Sequence, residues 1–216
     1  MAPLLRRSIA LATLAALPAI TQAASLYKVE MLVFSHENPA NLGEEYWPDD
    51  LPALDLSASL LPSSWDGYPL SRFEELPQND LQLGGDAAAL SRSADYKLLY
   101  HRGWLQSIGG KSRAREVRIK ADFDDLHLDG NIKIYKNRFL HAQPRLEFSS
   151  TNMNGNYTAE SPDTPATVSN ITVPVVVDAD NTQRWRMDQS RRMRSNETHY
   201  IDHPRFGVLL RIRALN

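Results

Sequence analysis

Leu26-Tyr27-Lys28-Val29-Glu30-Met31-Leu32-Val33-Phe34 changes character along its length. The first residues alternate apolar and polar, as a half-buried strand does, and from Met31 onward both parities are apolar, the pattern of a strand that enters the interior. This is the expected first strand, and it sets the expectation for the rest of the chain. Downstream, Tyr96, Leu98, Tyr100 and Trp104 share one parity while Lys97, Leu99, His101 and Leu105 share the other, which predicts a half-buried strand over 96–106. Val117, Ile119, Ala121 and Phe123 alternate with charged residues and predict another. Asp129-Gly130 stands between Leu126-His127-Leu128 and Asn131-Ile132-Lys133-Ile134-Tyr135, a dipeptide suited to a tight hairpin turn. Its second arm is expected to reach Phe148 with a break at Pro144, and a last strand runs from Phe206 to Arg213, after Pro204 has ended any ladder before it. Asp86 is placed to cap a short helix through Ala87, Ala88, Ala89 and Leu90. Short strands with one or two short helices make an α+β domain, mainly an antiparallel β-sheet with long surface loops.

Outside these elements the chain is expected to be irregular. Residues 37–86 hold prolines at 39, 48, 52, 62, 69 and 77, which read as a long ordered surface excursion with short helical turns. Residues 150–183 are a polar loop with an apolar island at Ile171–Val177. At the start, Arg6 and Arg7, the apolar run Ile9–Leu17, Pro18, and the small residues Thr21 and Ala23 form the pattern of a cleaved signal peptide over 1–23, leaving 24–216 as one exported domain. No later stretch offers about 20 apolar residues for a membrane span.

The chain has 216 residues, a formal charge of −2, 42% hydrophobic and 23% charged residues and no cysteine. These totals argue against a disordered, collagenous or coiled-coil protein, and the missing cysteine excludes disulfides, thiolate zinc sites, a Cys nucleophile and a Cys-anchored lipid. The near-neutral sum hides segregation: residues 37–86 carry eleven acids and one base, residues 97–145 eleven bases and five acids, and residues 184–213 eight arginines and three acids. Either the acidic excursion folds over the basic strands or the basic faces stay open to an anionic partner.

The densest polar cluster is Arg191-Arg192-Met193-Arg194 followed by Glu197, His199, Tyr200, Asp202 and His203. Guanidinium forks bind carboxylate or phosphate through paired hydrogen bonds, so Arg191, Arg192, Arg194, His199, Tyr200 and His203 form the candidate ligand-binding set, with Trp104 and His101 as neighbours. The bland alternative is a solvated strand face with internal ion pairs, and Trp104 on the apolar parity is more often core than a sugar-stacking ring. No recognised ligand spacing makes the histidines and carboxylates a metal site. Ser25-Leu26-Tyr27-Lys28 matches the serine-x-x-lysine pattern only by chance, since it falls on a strand with no lysine-threonine-glycine segment after it, and no other hydrolytic or phosphate-binding motif is present. An acidic chain without a recognition motif is a poor match to nucleic acid.

The strand Tyr27–Phe34, the segment Tyr96–Gln106, the Gly130 stretch leading to Phe139-Leu140-His141, and above all Ser190-Arg191-Arg192-Met193-Arg194 with His199-Tyr200-Ile201-Asp202-His203-Pro204-Arg205-Phe206-Gly207-Val208, resemble the CsiV family. The resemblance spans about residues 26–213. It implies a periplasmic peptidoglycan-binding protein linked to cell-shape integrity, not an enzyme, with no cofactor, and acting with the lipoprotein activator of a bifunctional penicillin-binding protein. It supplies no binding residues, so the candidate set rests on the residues themselves.

Overall fold

The computed structural model describes residues 25–37, 51–64, 72–150 and 183–215. The expected signal peptide and the island Ile171–Val177 lie outside them. Among the described residues nine strands and one α-helix follow in the order β1 (Ser25–His36), α1 (Gly84–Arg92), β2 (Tyr96–Ile108), β3 (Glu116–Phe123), β4 (Leu126–Lys136), β5 (Leu140–Ser150), β6 (Gln183–Asp188), β7 (Arg191–Met193), β8 (Thr198–His203) and β9 (Phe206–Ala214). They form two antiparallel sheets, β2-β1-β9-β8 and β3-β4-β5-β6, with β7 also pairing β5. The fold is therefore α+β and mainly antiparallel.

The sheets pack face to face over one apolar core, which takes Val29, Met31 and Val33 from β1, Trp104 from β2, Ile132 and Ile134 from β4, Phe148 from β5 and Val208, Leu210 and Ile212 from β9. The opposite face of β1 is covered as well: Leu32 and Phe34 pack against Leu83 and Ala87 of the helical segment. That second cover explains why β1 turns apolar on both parities. At nine residues α1 is too short to hold alone, so this packing sustains it.

Four local expectations need correction. Asp129-Gly130 is not a turn: β4 runs through it, and the hairpin is the two-residue Asp124-Asp125 loop between the paired Phe123 and Leu126, with Asp124 at φ 51°. β5 is not broken at Pro144; the proline falls where β5 changes partner from β6 to β7, a place where a missing N–H costs no ladder bond. The shared parity of Tyr96, Leu98, Tyr100 and Trp104 is split by a bulge, because Val33 pairs Tyr100 and Phe34 pairs Leu98, leaving Leu99 extra. Leu98 therefore faces α1 while Tyr100 and Trp104 face the inter-sheet core. Asp86 does not cap α1 but lies exposed in its first turn; the cap position is Leu83. A carboxylate from β1 instead holds the approach to the helix, Glu30 accepting from the N–H groups of Gln82 at 2.7 Å and of the cap residue Leu83 at 2.8 Å.

The described parts of the excursion run along the sheet edges. Leu60 bridges Val117 at the edge of β3, its N–H donating to the carbonyl of Glu116 and its own carbonyl accepting from Arg118. Residues 73–76 line β2 in the same way, with Leu76 N–H on the Gly103 carbonyl. Two edges that would otherwise present open backbone are thus partly closed.

Candidate functional site: a basic pole

Three polar segments meet at one end of the sandwich. Gly109-Gly110-Lys111-Ser112-Arg113-Ala114-Arg115 follows β2, Lys136-Asn137-Arg138-Phe139 joins β4 to β5, and Ser190-Arg191-Arg192-Met193-Arg194 contains β7. The Lys136 N–H donates to the Gly109 carbonyl at 2.8 Å, which ties the first segment to the second. The pairing of His141 with Arg192 and of Leu140 with Met193 ties the third to both. Together the segments hold eight cations and no acid. Arg194 reaches Glu197 at 3.6 Å on an exposed surface. Lys111, Arg113, Arg115, Lys136, Arg138, Arg191 and Arg192 are all exposed, and none pairs with a carboxylate among the described residues.

Aromatic rings organise these cations. Tyr135 and His141 stack with centroids 5.0 Å apart, and Lys111 Nζ lies 5.5 Å from the Tyr135 ring. Phe139 is 44% exposed and carries Arg192 at 4.7 Å and Arg138 at 5.4 Å. Each such contact contributes about 0.5–1 kcal/mol at an exposed site, enough to bias where a guanidinium rests while leaving its N–H donors outward.

The neighbouring outer face of β3–β6 is a contrast, because its charges are internally matched. Glu116 accepts from Arg145 at 2.8 Å and from Asn131 at 2.8 Å, with Lys133 at 3.4 Å. Asp129 takes both arms of Arg118 at 2.6 Å. Glu147 lies between Arg184 and Arg186; burial pushes its carboxyl up, but the hydrogen bonds from the two guanidinium groups prevail and hold it below the usual range. Residues 52–60 cross this face, with Arg186 donating to the Pro52 carbonyl and Asn131 to Ser59 Oγ. Further acids of the excursion pair elsewhere, Glu75 with Arg102 at 2.6 Å and Asp80 with Lys28. The excursion thus covers part of the basic surface and leaves the pole open among the described residues.

The sequence-derived set is dispersed by strand geometry. Arg191 and Arg192 stand on the pole, and Arg194 borders it, its N–H donating to His199 Nε2 at 3.2 Å. Along β8 side chains alternate, so Ile201 and His203 are buried inward while Tyr200 and Asp202 point out. His203 stacks on Phe206 at 4.6 Å and its Nδ1 accepts from the Arg205 N–H at 3.2 Å. Burial pushes its imidazole down to about 4. Trp104 has no exposed surface and donates to Gln106 at 2.9 Å, so it is a core residue. His101 faces the helix side, where its Nε2 meets Glu30 at 2.8 Å. Burial pushes the Glu30 carboxyl up, but the bonds from His101, Gln82 and Leu83 outweigh it and keep Glu30 below the usual range. Among the described residues no group of three His, Cys, Asp or Glu side chains is placed to hold a metal ion.

Lys111, Arg113, Arg115, Lys136, Arg138, Phe139, Tyr135 and His141 were missed. The cations among them are signalled only by the basic excess over 97–145, which does not say which end of which strand carries it, and Phe139 and His141 only by the stretch that resembles the family.

A second surface lies at the other end of β1. Phe34, Tyr96, Leu90 and Leu209 line an apolar groove of about 310 Å³ with Asp86 at its edge. Tyr200 stacks parallel to Phe34 at 6.2 Å, and a Cβ on Gly207 would meet Phe34 Cζ at 2.5 Å and Tyr200 Cε2 at 2.8 Å. The missing side chain at Gly207 is what lets the two rings lie there. The Tyr200 hydroxyl donates to Asp202; burial and that carboxylate both raise its pKa, keeping the phenol neutral.

Among the described residues no helix is long and apolar enough to cross a membrane. No curated protein and no solved structure matches the chain. A family model described as peptidoglycan-binding protein, CsiV, matches residues 5–215. That match covers nearly the whole sequence, and the chain belongs to the CsiV family of peptidoglycan-binding proteins.

Proposed function

We propose that this chain is a periplasmic accessory protein without catalytic activity, exported by its N-terminal segment, whose residues 24–216 act as one domain that binds peptidoglycan at the basic pole and supports wall assembly and cell shape. The observation that carries this reading is the set of seven exposed cations with no carboxylate partner among the described residues, a surface that suits a polymer rich in carboxylates. Family membership supports the ligand, and the absence of a hydrolytic motif in the sequence supports binding over turnover.

The test is co-sedimentation of residues 24–216 with purified sacculi over a salt series. Pelleting is expected at low salt and should weaken as the screening length falls from about 10 Å at 0.1 M to about 3 Å at 1 M. The variant Arg138→Ala/Arg191→Ala/Arg192→Ala should lose most of the bound fraction while its stability falls by no more than about 1–2 kcal/mol, the loss of the two contacts with Phe139. Undiminished pelleting of the variant would remove the pole from the account, and release of muropeptides would remove the claim of no catalysis.

The apolar groove favours a second reading, an envelope protein–protein module acting on a cell wall synthase activator. Its acidic surroundings, Asp86 at the edge and Asp202 beside Tyr200, suit a partner segment that offers an apolar side chain next to a basic one. Tyr27, whose hydroxyl accepts from Lys136 of the pole, and Phe34 of the groove lie seven positions apart on β1, about 23 Å at the usual rise, so wall and partner could be held at once. Leu90→Glu should abolish partner capture and leave sacculus binding unchanged; loss of both together, or of neither, counts against this reading.

A further inference from the structure

The pole's aromatic rings are already engaged by cations. Phe139 lies under both Arg138 and Arg192, and Tyr135 is stacked on His141 with Lys111 over it. A sugar-binding platform needs an aromatic face left free for the pyranose ring. Here the rings serve instead to set the positions of positive groups on exposed side chains, and Lys136 Nζ also donates to the Tyr27 hydroxyl at 3.1 Å. The three segments also differ in what they offer: Lys111 and Lys136 are compact point charges, whereas Arg138, Arg191 and Arg192 are planar forks that match a carboxylate through two parallel bonds. None of these groups is offset by an acid within its own segment.

Resting on the reading that the chain binds peptidoglycan, we infer that the pole recognises the free carboxylates of the stem peptides and not the glycan strand. Three separate basic segments on one surface engage several carboxylates of neighbouring peptides at once, so individually weak, screened contacts sum through high effective concentration. The pole then reports the density of uncapped peptide carboxylates in the wall. Phe139 acts as a positioning residue: it touches no ligand, and its loss frees two guanidinium groups that the ring had oriented.

The experiment changes the ligand rather than the protein, so folding is not at issue. Residues 24–216 are offered intact sacculi, sacculi whose carboxylates have been converted to neutral amides, immobilised glycan strands freed of their peptides by an amidase and with the lactyl carboxylates so exposed also converted to neutral amides, and vesicles of phosphatidylglycerol. The expected result is retention on intact sacculi and a fall of about tenfold or more on the amidated wall and the bare glycan, as multivalent contacts vanish together. Vesicles should retain little, because the forks are then offered a mobile phosphate surface instead of a fixed array. Equal retention on bare glycan or on amidated sacculi overturns the inference while leaving peptidoglycan binding standing, and vesicles that bind as well as sacculi overturn it in favour of lipid phosphate. No retention on intact sacculi overturns both. Phe139→Ala should weaken binding to intact sacculi without changing the slope of log affinity against log salt, since the cations themselves remain; an unchanged affinity would show that the ring does not position the cations.

Discussion

Gly130→Ala should destabilise the protein by about 3 kcal/mol or more, the sum of a strained backbone and an overpacked core, each worth about 1–3 kcal/mol. Gly130 has φ +156°, and a Cβ built there would meet the Arg145 carbonyl oxygen at 2.2 Å and Leu146 Cα at 2.8 Å. Both atoms belong to the backbone of β5, which pairs with β4 directly at this point, so no rotamer change can relieve the contact. The strands would have to separate where Ile119 on one side and Leu146 on the other complete the ladder. A control is available at Gly110, where φ is −64° and the nearest atom to a new Cβ is Asn137 Oδ1 at 3.8 Å. Gly110→Ala should be neutral or stabilising by about 0.5 kcal/mol, through loss of unfolded-state freedom. Urea unfolding of the two variants distinguishes close approach from a general cost of removing glycine; equal effects would contradict the placement of Gly130.

The same position shows where sequence reading succeeds and where it stops. A glycine after aspartate signals either a turn or a place where another backbone comes near, and the local sequence does not separate the two. The true turn, Asp124-Asp125, contains no glycine and puts a non-glycine residue at φ 51°, so it sends no comparable signal. Burial pattern fared better. The change in β1 from alternating to uniformly apolar marked a strand with covers on both faces, because the hydrophobic pattern answers to both neighbours, the second sheet and α1. In β2 the pattern misled, since one bulged residue shifts every later side chain to the opposite face.

The candidate site was legible by composition and not by place. Arg191 and Arg192 were visible as a run, and the basic excess over 97–145 was visible as a sum, but their meeting depends on β7 pairing with β5. That pairing is long-range and leaves no local mark. His203 and Tyr200 looked like companions because they are near in sequence, yet an odd separation along a strand sends them to opposite faces. Charge alone left open whether the acidic excursion meets the basic strands or leaves them bare; that its residues 52–60 cross β3–β6 is a matter of path, which composition does not record.

Between pH 7 and pH 4, His203 should withdraw about 3 kcal/mol of stability, and His203→Asn should lack that part of the acid sensitivity. In the folded chain burial pushes the imidazole down to about 4 from an ordinary value of 6.5. Asp202 favours the protonated ring, but His36 and the Arg205 guanidinium oppose it, and the Arg205 N–H donates to Nδ1, a bond that only the neutral ring can accept. The sign follows from which state takes up protons first. As pH falls through 6.5 the unfolded chain binds a proton at His203 while the folded chain does not, so the contribution is complete above the unfolded value and is lost progressively until the folded value near 4 is reached. Carboxylates such as Glu30, held low in the fold, add their own loss as pH drops further, below the ordinary carboxylate range. Comparing the pH dependence of urea unfolding for the wild type and His203→Asn isolates the histidine, because the other groups titrate in both. Asn retains an acceptor oxygen for the Arg205 N–H and carries no titrating group, so the two curves should converge as pH falls from 7 to 4. Parallel curves would mean that His203 has the same proton affinity folded and unfolded, and that its ring is not held in the dry inner face between Phe206 and Arg205.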